Sequence, residues 1–67
     1  MNLQSYRDKD AGKRLQDERE LAGLTPGELA SLCGVSESTI YNIEKGRHRM
    51  TYTTCRKICK VLGDNNG

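Results

Sequence analysis

Sixty-seven residues leave room for one small domain and exclude a multidomain enzyme, and a chain this short buries only about 60% of the surface it exposes when unfolded, so its stability is expected to lean on a partner. Only 34% of residues are hydrophobic, Trp and Phe are absent and no apolar run exceeds two residues, which argues against a membrane span or a signal-peptide core and points to a cytoplasmic protein. The net charge of +2, from 11 basic and 9 acidic residues, is too weak a bias to imply nucleic acid by itself.

Residues 1–7 carry no apolar period and no cap, and are expected to form a frayed lead-in that reaches out at most as an arm through Arg7. The folded domain is expected over 8–63. Asp8 or Asp10 suits an N-cap, and Ala11, Leu15, Glu18/Arg19 and Ala22 recur every three to four residues, which predicts a first helix ending near Ala22 with Gly23 as its left-handed stop. Thr25 then caps a second helix over about 26–33, with Pro26 at its first position and Glu28 completing a capping box. Leu24 and Leu29 fall where a hydrophobic staple would clasp. Gly34 follows as a turn residue, Val35 is apolar within the turn, and Ser36 caps a third helix running to about Lys45. Gly46 ends it, Arg47-His48-Arg49-Met50 reads as a basic loop, and Thr51 caps a last helix from Tyr52 to Leu62 with Gly63 as its stop. The inner face of that helix reads Tyr52, Cys55, Ile58, Cys59, Leu62, and 64–67 is a polar tail.

Charge is unevenly distributed along these elements. From Lys45 to Lys60 there are six cations, Lys45, Arg47, Arg49, Arg56, Lys57 and Lys60, and no carboxylate, whereas Asp17, Glu18, Glu20 and Glu28 lie in the first half. Such a tract is either a solvated helix face or a local footprint for a polyanion. The third helix favours the second reading. Ile40 and Ile43 share one face with Val35, while Glu37, Ser38, Tyr41, Asn42 and Lys45 share the other, so one side is core and the other is polar and hydrogen-bonding. A helix, a glycine-bearing turn and a second helix of this kind is the helix-turn-helix, whose second helix fits the major groove, where base edges present a readable donor and acceptor pattern.

The stretch TPGELASLCGVSESTIYNIEKG closely resembles the Cro and phage-repressor class of helix-turn-helix proteins, also called XRE-like, and the resemblance runs from about Ala11 to Gly63. It is carried by Leu15 and Arg19 in helix one, Leu29-Ala30 in helix two, Gly34-Val35-Ser36 at the turn, and Ile40 with Ile43-Glu44-x-Gly46 in and after helix three. It implies an all-α fold, a compact four-helix lambda-repressor-like domain, with helix three as the recognition helix. Glu37, Ser38, Asn42 and Lys45 would then face bases. Asn can bond adenine in a bidentate manner, Ser is permissive, Lys favours guanine or phosphate, and Glu accepts from cytosine while repelling the backbone. Phosphate contacts would come from Thr25 at the start of helix two, from Thr39 and Tyr41 flanking the reading set, and from Arg47 and Arg49 in the following loop. This chain departs from the pattern at Pro26, where the family often carries a Gln whose amide grips a phosphate. Arg19 and Glu44 match a pair that in the family forms an internal salt bridge.

Cys33, Cys55, Cys59 and His48 could suggest a metal site, but the cysteines fall on apolar faces and read as small core residues, so no metal and no cofactor is expected. No carboxylate pair, Cys–His pairing or glycine-rich phosphate loop supports an enzyme. The sequence therefore predicts a transcriptional regulator, a repressor or phage-type control protein, on a double-stranded DNA operator. The resemblance implies a homodimer, weak or assembled on DNA. The alternatives are the antitoxin half of a toxin–antitoxin pair, with a protein partner, and a protein-binding adaptor on the same fold.

Overall fold

The computed structural model describes residues 6–63, and the expectations for residues 1–5 and 64–67 lie outside them. The chain forms four helices, α1 (Ala11–Leu21), α2 (Pro26–Cys33), α3 (Glu37–Glu44) and α4 (Tyr52–Leu62), and no strand among the described residues. α2 packs chiefly on α3 and also on α4, while α1 lies on α3. Leu15, Leu29, Ile40, Cys55 and Ile58 are fully buried at the centre, one or more from each helix, so no helix can leave without exposing the others' apolar faces.

The caps explain where the helices begin. Thr25 Oγ1 accepts from the Glu28 N–H at 3.1 Å while Glu28 Oε1 accepts from the Thr25 N–H at 2.8 Å, the reciprocal capping box that the spacing predicts. Ser36 and Thr51 likewise accept from the backbone of Thr39 and Thr54. Each such cap is worth about 1 kcal/mol. α1 differs: Asp10 stands at the N-cap without a side-chain bond, and the Asp8 carboxylate accepts from Arg14 instead. The expected aspartate cap is therefore not made, because an ion pair competes for one candidate and the backbone of the other has φ −89° and ψ 1°, away from the extended conformation a cap requires. Between α2 and α3, Gly34 takes φ 75°, a left-handed turn in which the Val35 N–H reaches back to the Ala30 carbonyl at 3.0 Å.

Three positions depart from the periodicity. Ala22 is exposed, and the first helix buries Ala11, Leu15 and Arg19 instead. Tyr52, expected on the inner face of α4, is 51% exposed and meets Tyr6 edge-on at 5.8 Å, since it starts the helix beyond the rim of the core. Met50, read within a basic loop, is buried, plugging the core between α3 and α4. Close approach fixes a fourth position: a Cβ on Gly12 would collide with the Ile43 carbonyl oxygen. α1 can rest on the end of α3 only because residue 12 has no side chain.

Candidate nucleic-acid interface

α3 presents the predicted reading set on its outer side. Glu37, Ser38 and Lys45 are exposed and Asn42 is half-buried, opposite the buried Ile40 and Ile43. At a helical rotation of about 100° per residue, Glu37, Tyr41, Lys45, Ser38 and Asn42 occupy one continuous arc. Thr39 lies at its edge, half-buried, with its hydroxyl 2.8 Å from that of Ser36 in the cap. Among the predicted phosphate contacts, Thr39 is thus already engaged in holding the helix start.

The helix behind the arc is held in place by ionic chemistry. Arg19 Nε donates to Glu44 Oε2 at 2.7 Å, its Nη2 donates to Glu44 Oε1 at 3.0 Å, and its Nη1 donates to the Leu24 carbonyl at 2.6 Å. Both side chains of the pair are more than nine-tenths buried. One guanidinium therefore ties α1, the α1–α2 turn and the last residue of α3 together, and the bidentate bond to Glu44 holds its pKa above the ordinary arginine value despite burial. No buried side-chain nitrogen or oxygen among the described residues is left without a partner.

At the start of α2 the surroundings are acidic. The Thr25 and Glu28 N–H groups are used by the capping box and Pro26 has none, which leaves the Gly27 N–H in the first turn. The Glu37 carboxyl lies beside this turn, its carbon 3.5 Å from where a Gly27 Cβ would stand. Two carboxylates, Glu28 and Glu37, thus already occupy the positive end of the helix. A phosphate there would have to move Glu37 aside, so the anion-favouring terminus expected at Thr25 carries an opposing charge that spacing alone does not reveal.

Positive charge gathers at the other end of α3. Gly46 turns the chain so that the N–H groups of Arg47 and His48 both donate to the Asn42 carbonyl, at 2.9 and 3.3 Å, which folds the loop back along the helix. Arg47, His48 and Arg49 are exposed and, with Arg7 and Lys9, edge a groove of about 670 Å³ floored by Gly12, Ile43 and Met50. The Arg47 guanidinium and the Lys45 ammonium both stand over the Tyr41 ring, at 5.6 and 5.4 Å from its centroid. The helical spacing of Tyr41 and Lys45 makes that contact legible in sequence; the Arg47 contact depends on the loop's return.

Cys33, Cys55 and Cys59 are buried in the core, with the sulfurs of Cys55 and Cys59 3.9 Å apart. Burial pushes the Cys33 thiol up, partly offset by Lys57. Among the described residues no group of His, Cys, Asp and Glu is disposed to hold a metal ion, and no helix is long and apolar enough to cross a membrane.

Comparison with known proteins finds relatives of this chain. Over 54 residues, 81% of the chain, it is 32% identical to a protein of Pyrobaculum aerophilum named as an HTH-type transcriptional regulatory protein, of which the matched stretch makes up 22%. Over 49 residues, 73% of the chain, it is 37% identical to an uncharacterized HTH-type transcriptional regulator of Methanothermobacter thermautotrophicus, covering 71% of that protein. The chain thus spans about a fifth of the first relative and most of the second. The family model described as a helix-turn-helix domain matches residues 10–63, from the residue before α1 to the glycine that closes α4, and the chain belongs to that helix-turn-helix family.

Proposed function

We propose that the chain is a sequence-specific duplex-DNA-binding transcriptional regulator of the Cro and repressor type, which inserts α3 into the major groove. The observation that carries this reading is the outward arc of Glu37, Ser38 and Asn42, small or hydrogen-bonding groups on a helix whose other face is core, with unpaired cations at its C-terminal end. Asn42 is assigned to a bidentate bond with adenine, Ser38 to a permissive contact, and Glu37 to selection by exclusion, accepting from cytosine and repelling phosphate. Arg47 and Arg49 supply the phosphate contacts that fix register. Thr25 contributes less than its place at a helix start suggests, because Glu37 and Glu28 stand beside it.

A module of this size makes few base contacts, so two copies on half-sites about 34 Å apart would gain affinity through effective concentration. The relatives named as transcriptional regulators support the regulatory role, and repression is the form proposed. Selection of bound sites from a random duplex pool tests the whole reading: enrichment of a short motif, repeated with dyad symmetry at one helical turn, is expected. A pool that stays random at low salt would refute it.

A further inference from the structure

The basic end of α3 contains an arrangement that contact by charge alone does not explain. Lys45 and Arg47 are neighbours of like charge, no carboxylate among the described residues lies within 4.0 Å of either, and yet both lie against the same aromatic ring. Two free cations so close in sequence are expected to splay apart into solvent. The ring of Tyr41, 44% exposed, offsets that repulsion with the negative charge of its π system, and the loop's return onto the Asn42 carbonyl delivers Arg47 to it.

We propose that Tyr41 is a positioning residue that gathers Lys45 and Arg47 into one preorganised dication for adjacent phosphates of the DNA backbone. This rests on the DNA-binding reading and deepens it. A guanidinium over a ring spends its face on the ring and keeps its N–H donors at the edge, and an ammonium there keeps the N–H groups that point away from the ring, so the clamp remains open to phosphate oxygens. Holding two long side chains in place before binding removes an ordering cost that would otherwise be charged at association. The assignment moves Lys45 from the base edges to the backbone, and gives Tyr41 its effect through the two cations, with no hydroxyl bond to phosphate.

Tyr41→Phe and Tyr41→Leu separate these roles. In the free protein, ring-current shifts of the Lys45 ε and Arg47 δ protons are expected in wild type and Tyr41→Phe and absent in Tyr41→Leu. Shifts absent from wild type would overturn the positioning role whatever DNA does. On a selected duplex, Tyr41→Phe should bind as wild type, and Tyr41→Leu should bind about tenfold more weakly. In the Leu background, Arg47→Ala should cost less than it does in wild type, a non-additivity that a merely structural role would not produce. Equal losses in Phe and Leu would show that the hydroxyl itself grips DNA, and tighter binding by Leu would show that the ring withholds the cations; either overturns the proposal. Lys45→Ala should weaken all duplexes alike, and a base-selective loss would return Lys45 to the reading set. Should wild type show the shifts and bind no duplex, the DNA reading falls and the cation–ring cluster remains without the phosphate role.

Discussion

In α1, Lys13 meets Asp17 at 2.9 Å, Arg14 meets Asp8 at 3.1 Å and Arg19 meets Glu44 at 2.7 Å. Between Lys45 and Lys60 none of the six cations has a carboxylate within 4.0 Å among the described residues, and Lys45, Arg47 and Arg56 stand over tyrosine rings instead. The same side chains thus serve opposite ends. A paired cation is locally neutral and acts on geometry, whereas an unpaired one keeps its field for an outside partner. A chain of net charge +2 can keep a face of uncancelled positive charge because one half of it cancels its own charge.

The largest test of this contrast is at the buried pair. Glu44→Ala strands the Arg19 guanidinium and should cost about 3–5 kcal/mol in urea unfolding, enough to leave so small a domain largely unfolded, whereas the double replacement Arg19→Met with Glu44→Leu should recover much of the loss. A cost below about 1 kcal/mol would place the pair with ordinary surface charges. Gly12→Ala comes next: the added methyl collides with the Ile43 carbonyl and should cost about 1–3 kcal/mol, read as a lowered thermal midpoint by circular dichroism. An unchanged midpoint would mean that α1 can ride up on α3 freely.

On the unpaired side the effects belong to binding. Asn42→Ala should lose about 1–3 kcal/mol on the preferred site and relax preference at one base position, while Arg47→Ala should weaken all duplexes alike and lower the salt slope by about one. If the two variants gave the same pattern, the division between reading and clamping would fail. The smallest effect concerns the core thiol. Because burial raises the Cys33 pKa above the ordinary 9.0, its contribution to stability is fully present below that value. As pH rises through it, the unfolded chain gains a thiolate that the folded chain resists. Melts at neutral and alkaline pH should show a shallower alkaline decline in Cys33→Ala than in wild type.

Helix starts and stops were legible wherever a single side chain makes the decisive bond. Thr25, Ser36 and Thr51 cap the helices that their spacing predicts, because a cap is a contact between residues three apart. Local reasoning failed where the competing partner is remote or the position is at a rim. Asp8 answers Arg14 rather than the helix start, Tyr52 turns outward to Tyr6, and Met50 is drawn from a polar stretch into the core. Gly12 carried a signal, an isolated glycine inside a helical period with no cap to make, but only the neighbouring helix shows that its missing side chain admits a carbonyl.

For the interface the division is similar. The outward arc of α3 follows from helical periodicity once Ile40 and Ile43 are assigned to the core, and the carboxylate-free tract from Lys45 to Lys60 is visible in the chain itself. That the Glu37 carboxyl reaches the start of α2, and that Arg47 joins Lys45 on one ring, required the turn at Gly34 and the loop after Gly46 to bring distant groups together. The residue order by itself determined four helices, the caps of α2, α3 and α4 and most of the apolar face of each helix, since these depend on neighbours within one turn. The tertiary structure alone decided which charges are cancelled and which are left to act, because the electrostatic energy of a side chain depends on distance and burial rather than on place in the chain.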